Sequence, residues 1–245
     1  MTSEAITSEA QGNVYLDAPM IPTQEGPEGI RFDFNDGARV HFPQRDSGLW
    51  RVTLSDLDAG VVLYHGDLKG GHLQSAKRYF LRYRIKIQSV SEDGTIHDVI
   101  DYKFSPAGHI VIVQIPVGTL GDAIAWFSYV PRFSEETKAR IICVMPPKIA
   151  NIFKNNYPEI TFLAKKDIED SDLLKQAYAT YRIGLFFTDD DNNWQPTDFR
   201  HVGLHKTAAY ILGVSPQEVK PEVFSEDCSR PMEDRYVCIA TQASS

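Results

Sequence analysis

Hydrophobic positions along this chain follow two different periods, and the change between them falls near residue 105. Before it, apolar and polar residues alternate as in half-buried strands. Ile30 to Phe42 alternates around Asn35-Asp36-Gly37, where Asp-Gly accepts the positive φ angles of a hairpin turn. Leu49 to Leu54 and Gly60 to Tyr64 read as further strands separated by Asp56 to Ala59, and Tyr79 to Val90 pairs with Thr95 to Phe104 around Glu92-Asp93-Gly94. Short strands with regular turns predict an antiparallel β unit or small barrel over residues 14–104. Within it, HGDLKGGHLQSAKRYF (His65 to Phe80) is glycine-rich and basic; it reads as a solvated loop, with substrate contact as the alternative. The aromatic and cationic residues Tyr79, Arg82, Tyr83 and Arg84 read as cross-strand packing, with a protein- or sugar-binding face as the alternative.

After Ser105-Pro106-Ala107-Gly108 the pattern becomes α/β. His109 to Ile115 is a β-branched run suited to a central strand covered on both faces, and Pro116, with no N–H for a ladder, stops it. A helix is expected over 122–130, then a connection from Pro131 to Lys138 and a strand from Arg140 to Met145. Pro146-Pro147 opens a helix to about Asn155, followed by a strand at Ile160 to Ala164, a helix at Ser171 to Ala179 and a strand at Tyr181 to Phe187. HVGLHKTAAYILGV reads as one amphipathic helix with a C-cap at Gly213. Alternating strands and helices predict a doubly wound parallel sheet whose ligand crevice lies at the C-terminal strand ends.

The fold class expected is therefore α/β with an N-terminal antiparallel β domain (14–104) and a parallel-sheet domain (105–214). Residues 1–13, with Thr-Ser-Glu-Ala twice, read as a disordered tail. Residues 215–235, carrying Pro216, Pro221 and Pro231, read as a linker, and Tyr236 to Thr241 as the opening strand of a further domain.

A formal net charge of −8 argues against a nucleic-acid partner, which needs a concentrated basic surface. No apolar run reaches the ~18 residues of a membrane span, and MTSEAITSEAQG is no basic-then-apolar signal, so a cytoplasmic location is expected. Cys143, Cys228 and Cys238 are far apart and form neither a disulfide framework nor a metal-ligand spacing; Cys143 in ARIICVM reads as a core thiol. His201 and His205 stand four apart, but no carboxylate completes a metal motif. The acidic and amide run Thr188 to Asn193 reads as a solvated loop rimming the crevice, because consecutive side chains rarely converge on one cation.

The candidate chemistry sits between the first parallel strand and its helix. Gly118 and Gly121 permit positive φ or close approach of another group, and Asp122 follows at the helix N-terminus, where the dipole and unpaired N–H groups favour a carboxylate. A carboxylate at that end of an open α/β sheet is placed for catalysis, and equally for helix capping.

IPVGTLGDAIAWFSYVPRF, DFRHVGLHKTAAYILGV and YVCIATQASS resemble the bacterial autotransporter heptosyltransferases, a GT-B branch in which Gly-Asp opens the first helix and the Asp is the general base. The similarity runs from about Val14 to Ser245. It implies a Rossmann-like acceptor-side lobe of a hexosyl-type glycosyltransferase that moves heptose from ADP-heptose to Ser hydroxyls of autotransporter passenger repeats. Asp122 would be the catalytic base, with Gly118, Thr119, Leu120 and Gly121 contacting substrate. It further implies a nucleotide-sugar lobe mostly absent from this chain, with its diphosphate-binding lysine and a structural iron ion held by cysteines. A homo-oligomer is implied for the full-length protein and no activity for this segment alone. The rival readings are a non-catalytic module that binds a repetitive adhesin, and another nucleotide-sugar enzyme such as a lipopolysaccharide heptosyltransferase. The β unit before the Gly-Asp turn argues against the last.

Overall fold

The computed structural model of the protein describes residues 14–225, 229, 232–235 and 237. The expected tail at 1–13, Cys228, Cys238 and, but for residue 237, the expected strand from Tyr236 to Thr241 lie outside the described residues. In chain order the strands are β1 (Gln24–Glu25), β2 (Arg31–Asn35), β3 (Arg39–Phe42), β4 (Leu49–Asp56), β5 (Val61–Leu68), β6 (Gly71–Gln74), β7 (Tyr83–Val90), β8 (Ile96–Lys103), β9 (Ile110–Gln114), β10 (Arg140–Val144), β11 (Thr161–Leu163) and β12 (Ala177–Arg182). The helices are α1 (Leu120–Phe127), α2 (Tyr129–Thr137), α3 (Pro147–Ala150), α4 (Lys165–Glu169), α5 (Phe199–Val202) and α6 (Thr207–Leu212).

These form a mixed sheet in the order β11-β10-β9-β12-β2-β3-β6, with β1 alongside β2, and an antiparallel sheet in the order β5-β4-β7-β8. Neighbours from β11 to β2 run parallel, whereas β3 is antiparallel to both of its neighbours, β2 and β6. The antiparallel unit expected over 14–104 is thus divided. Its strands β4, β5, β7 and β8 form their own sheet, but β2, β3 and β6 extend the parallel one. The segment His65 to Phe80 is not a loop either, since it holds the end of β5 and all of β6.

Aromatic packing explains why the two sheets do not separate. Phe34 of β2 packs 5.9 Å from Tyr83 of β7 and edge-on at 4.7 Å to Phe104, which stacks on Tyr178 of β12 at 5.5 Å. All four are buried in one core that includes residues of both sheets. Each such ring contributes roughly 1.5–3 kcal/mol on burial, so separating the sheets would expose the largest side chains present. A polar weld joins β2 to β12 as well. Asn35, fully buried, accepts from Thr180 Oγ1 at 2.6 Å and donates to the Ala177 carbonyl at 2.8 Å.

Four helical expectations differ from the structure, and one of them, the helix from Pro146-Pro147 to about Asn155, is the single turn α3 (Pro147–Ala150) with non-helical turns behind it. The helix after β9 continues past residue 130 as α2, with an interruption where Pro131 has no N–H to give to the carbonyl four residues back. Lys138 then caps α2 in the left-handed conformation at φ 58°. Of the helix expected at Ser171 to Ala179 only a 3₁₀ turn at Leu174–Gln176 forms, and Ala177 to Ala179 open β12, where pairing with β9 and β2 outweighs helix propensity. The helix at 201–213 breaks at Gly203, φ +85°, into α5, a 3₁₀ turn at Leu204–Lys206 and α6, which does end on a left-handed Gly213. His201 and His205 therefore do not share a helix face. The described part of the expected linker runs along the body of the molecule: Arg132 donates to the carbonyls of Ser215 and Gln217, and Phe224 N to the Ile152 carbonyl at 2.7 Å.

Candidate active-site crevice

In the parallel region, the chain moves outward from β9 to β10 and β11, then returns to place β12 on the other side of β9. The loops leaving β9 and β12 diverge there, which opens a crevice at the C-terminal ends of these two strands. Asp122 follows β9, and Arg182 closes β12 opposite Gln114.

Asp122 is half-buried in the first turn of α1. Its Oδ2 accepts from the Thr119 backbone N–H at 2.7 Å and from Thr119 Oγ1 at 2.9 Å, while Thr119 caps the helix through the Asp122 N–H. Its other oxygen has no hydrogen-bond partner among the described residues. The carboxylate is thus aimed by one oxygen and free at the other, an arrangement suited to accepting a proton. Gly118 makes this possible. At φ +96° it is left-handed, and a Cβ there would lie 2.9 Å from both Asp122 Cβ and Trp126 Cζ3. Gly121 differs from expectation: it holds no positive φ and faces only Thr119 Oγ1 at 3.7 Å. Thr119 and Gly121 are exposed, as is Leu120 at 54 %, so the turn is open to solvent. Trp126 donates to the Leu204 carbonyl at 2.9 Å and so ties α1 to the 3₁₀ turn.

The opposite wall was not legible in the sequence. A cavity of about 460 Å³ at the end of β12 is lined by Tyr15, Arg78, Arg182, Phe186, Trp194 and residues of the 188–193 loop. Gln114, buried at the end of β9, holds the Leu16 backbone N–H at 2.6 Å, which delivers Tyr15 to the crevice. Tyr15 donates to the Ile183 carbonyl at 3.0 Å, and Gly184 is needed there because a Cβ would sit 2.2 Å from the Tyr15 hydroxyl oxygen and 3.2 Å from Val117 Cγ2. Burial pushes the Tyr15 hydroxyl up, although Arg182 opposes the shift. Arg182 is held edge-on by Asp36 of the β2–β3 turn at 3.1 and 2.5 Å, and the guanidinium groups of Arg78 and Arg182 both lie over the Trp194 ring, 4.5 and 4.6 Å from its centroid. Asp189 fixes the loop: its two oxygens accept from the backbone N–H groups of Asn193, Trp194 and Gln195 at 2.8, 2.8 and 3.1 Å. The only signal for Arg78 in the sequence was the basic character of His65 to Phe80.

Among the described residues no group of three or more His, Cys, Asp or Glu is placed to hold a metal. Cys143 is buried in β10 with its thiol pushed up by burial, and His205 pairs instead with Glu218 at 2.8 Å. The described residues therefore do not fit a structural iron site. Nor is any described helix long and apolar enough to cross a membrane.

Comparison with known proteins resolves the family. The domain described as "Glycosyltransferase TibC, N-terminal domain" matches residues 26–91. The autotransporter heptosyltransferase BAHTCr of Citrobacter rodentium is 40% identical over 231 residues, which cover 94% of this chain and 53% of that protein. The crystal structure of TibC from enterotoxigenic E. coli, described as a bacterial iron-containing dodecameric glycosyltransferase, superposes with a TM-score of 0.82 at 39% identity, covering 93% of this chain and 56% of that one. Over nearly its whole length the chain matches the N-terminal part of the autotransporter heptosyltransferases. A second TibC structure, in complex with ADP-D-β-D-heptose, matches this chain with a TM-score of 0.81. The family also includes BimC of Burkholderia thailandensis, 35% identical over 224 residues and described as an inactive autotransporter heptosyltransferase. The chain spans about half the length of the curated relatives it matches.

Proposed function

We propose that this chain is the acceptor-side part of a GT-B heptosyltransferase that moves heptose from ADP-heptose to Ser hydroxyls of an autotransporter passenger, with Asp122 as general base. The observation that carries the reading is the state of the Asp122 carboxylate after β9: one oxygen is occupied by Thr119, and the other has no partner among the described residues. Seryl oxygen attacks the anomeric carbon as the bond to the diphosphate breaks. A hydroxyl is far less acidic than a carboxylic acid, so its proton moves to Asp122 late, once the new bond has raised its acidity. The exposed turn Gly118-Thr119-Leu120-Gly121 supplies backbone contacts to the reactants at the helix N-terminus.

The Rossmann-like nucleotide-sugar lobe, its lysine at the diphosphate and the cysteines that would hold iron are assigned to parts of the enzyme outside these 245 residues. The full-length enzyme is read as a cytoplasmic homo-oligomer, and this segment by itself as unable to turn over donor. The names of the relatives and the ADP-heptose complex of TibC support this reading. The rival, a non-catalytic adhesin-binding module, draws on the inactive relative BimC.

Asp122→Asn in the full-length protein separates the two. Asn accepts the Thr119 hydrogen bonds but takes up no proton, so heptose transfer to a passenger fragment falls by about 10²–10⁴-fold while donor affinity and thermal midpoint stay close to wild type. Undiminished transfer in that variant would leave Asp122 a helix cap.

A further inference from the structure

We infer that the cavity at the end of β12 is the subsite for the acceptor protein, and that it takes a polar stretch of polypeptide adjoining the hydroxyl that reacts at Asp122. The inference rests on the reading of Asp122 given above and adds the recognition element to it.

Position comes first. The cavity opens at the end of β12, the strand that neighbours β9, and β9 leads to Asp122; Tyr15, which lines the cavity, lies against Gly184, which in turn lies close to Val117 of the segment after β9. A segment lying in the cavity therefore runs along the same end of the sheet as Asp122.

Charge then discriminates between the two substrates. Arg182 is already neutralised by Asp36, and both oxygens of Asp189 are occupied by backbone N–H groups. The unused groups are the Arg78 guanidinium and the carboxylates of Asp190 and Asp191, none of which has a hydrogen bond or ion pair among the described residues. Two exposed carboxylates against one free cation repel a nucleoside diphosphate, so this wall is not the donor's. A sugar ring is disfavoured as well, because the aromatic face it would need is occupied: Arg78 and Arg182 lie over Trp194, and Phe186 stacks on it at 5.6 Å. An extended polypeptide carries what the unused groups require. Its carbonyl oxygens suit the Arg78 fork, and its N–H groups or side-chain amides suit Asp190 and Asp191.

The wall is also built in advance. Lys77 Nζ donates to the carbonyls of Asp191 and Asn192 at 2.7 and 3.0 Å, and the Arg78 backbone N–H to the Asn193 carbonyl at 2.7 Å. Little ordering is left for the moment of binding, and such preorganisation favours affinity.

The test uses the full-length enzyme with ADP-heptose and a passenger fragment, comparing wild type with Arg78→Ala and with the double variant Asp190→Asn/Asp191→Asn. Each should raise KM for the passenger about tenfold or more, the loss expected of hydrogen bonds to charged groups, with KM for ADP-heptose within about twofold of wild type. Unfolding midpoints close to wild type establish that the fold is intact. Direct binding of the passenger fragment by calorimetry should weaken in the same variants and stay unchanged in Asp122→Asn. This keeps failure of the subsite distinct from failure of the catalytic reading. An unchanged passenger KM with unchanged passenger binding would overturn the proposal. A rise in donor KM matching that for the passenger would also do so, by assigning the cavity to the diphosphate.

Discussion

Arg182 and Asp36 lie 146 residues apart and meet through two hydrogen bonds, Nε to Oδ1 at 3.1 Å and Nη2 to Oδ2 at 2.5 Å. The pair joins the last residue of β12 to the left-handed position of the β2–β3 turn, where Asp36 holds φ 55°. Asp36 is 4 % exposed, and burial raises its pKa against the opposing pull of Arg182. Asp36→Ala removes the buried counter-ion of Arg182, leaving it only the exposed Asp17 at 3.7 Å, and should destabilise the protein by about 3–5 kcal/mol. Chemical denaturation measures this. A double variant Asp36→Ala/Arg182→Met should recover part of the loss, since no unpaired charge then remains in the site.

Gly118→Ala tests the turn before Asp122. The residue must adopt φ +96°, a left-handed conformation that costs a non-glycine residue about 1–3 kcal/mol, and its methyl group meets Asp122 and Trp126 at 2.9 Å. The unfolding midpoint should drop. In the full-length enzyme, transfer should drop further than the lost stability explains, because the displaced group is the carboxylate itself.

Trp126→Phe keeps an aromatic ring in the core but removes the indole N–H that reaches the Leu204 carbonyl. That carbonyl keeps the Thr207 N–H, so the loss is of one hydrogen bond, about 0.5–1.5 kcal/mol, and the 3₁₀ turn Leu204–Lys206 loses its tie to α1. Hydrogen exchange should quicken at 204–206 and leave the amides of β9 and β12 unaffected.

Asp198 caps α5 and binds Arg200, and the Arg200 guanidinium with its backbone N–H lowers the Asp198 pKa from 3.8 to about 2. A carboxylate whose folded-state pKa lies below its unfolded value stabilises the fold above the unfolded value. That contribution fades as pH falls through the folded one. The difference in thermal midpoint between wild type and Asp198→Leu should therefore be constant above about pH 5 and shrink from there toward pH 2. A difference independent of pH would mean that the ion pair does not contribute.

What the sequence determined by itself is what neighbouring residues decide among themselves. The β-branched run of β9, the stop at Pro116, the turn at Asn35-Asp36-Gly37, the helix start at Asp122 and the left-handed end at Gly213 each depend on a few contiguous side chains and the φ angles they permit. Tertiary structure decided what depends on distant partners. The Ser171 to Ala179 stretch has local helix preference, yet it makes only a 3₁₀ turn, and its last three residues become strand because β9 and β2 pair with them on either side. The β2–β3 hairpin was readable, but not the sheet it joins, since alternation shows that one face is buried without showing against what. The same holds for the crevice. Asp122 stood out because its turn is local, whereas Tyr15, Arg78, Arg182 and Trp194 come from four separate segments. No period or spacing along the chain encodes their meeting, which follows from burial of the shared aromatic core and the return of β12 beside β9.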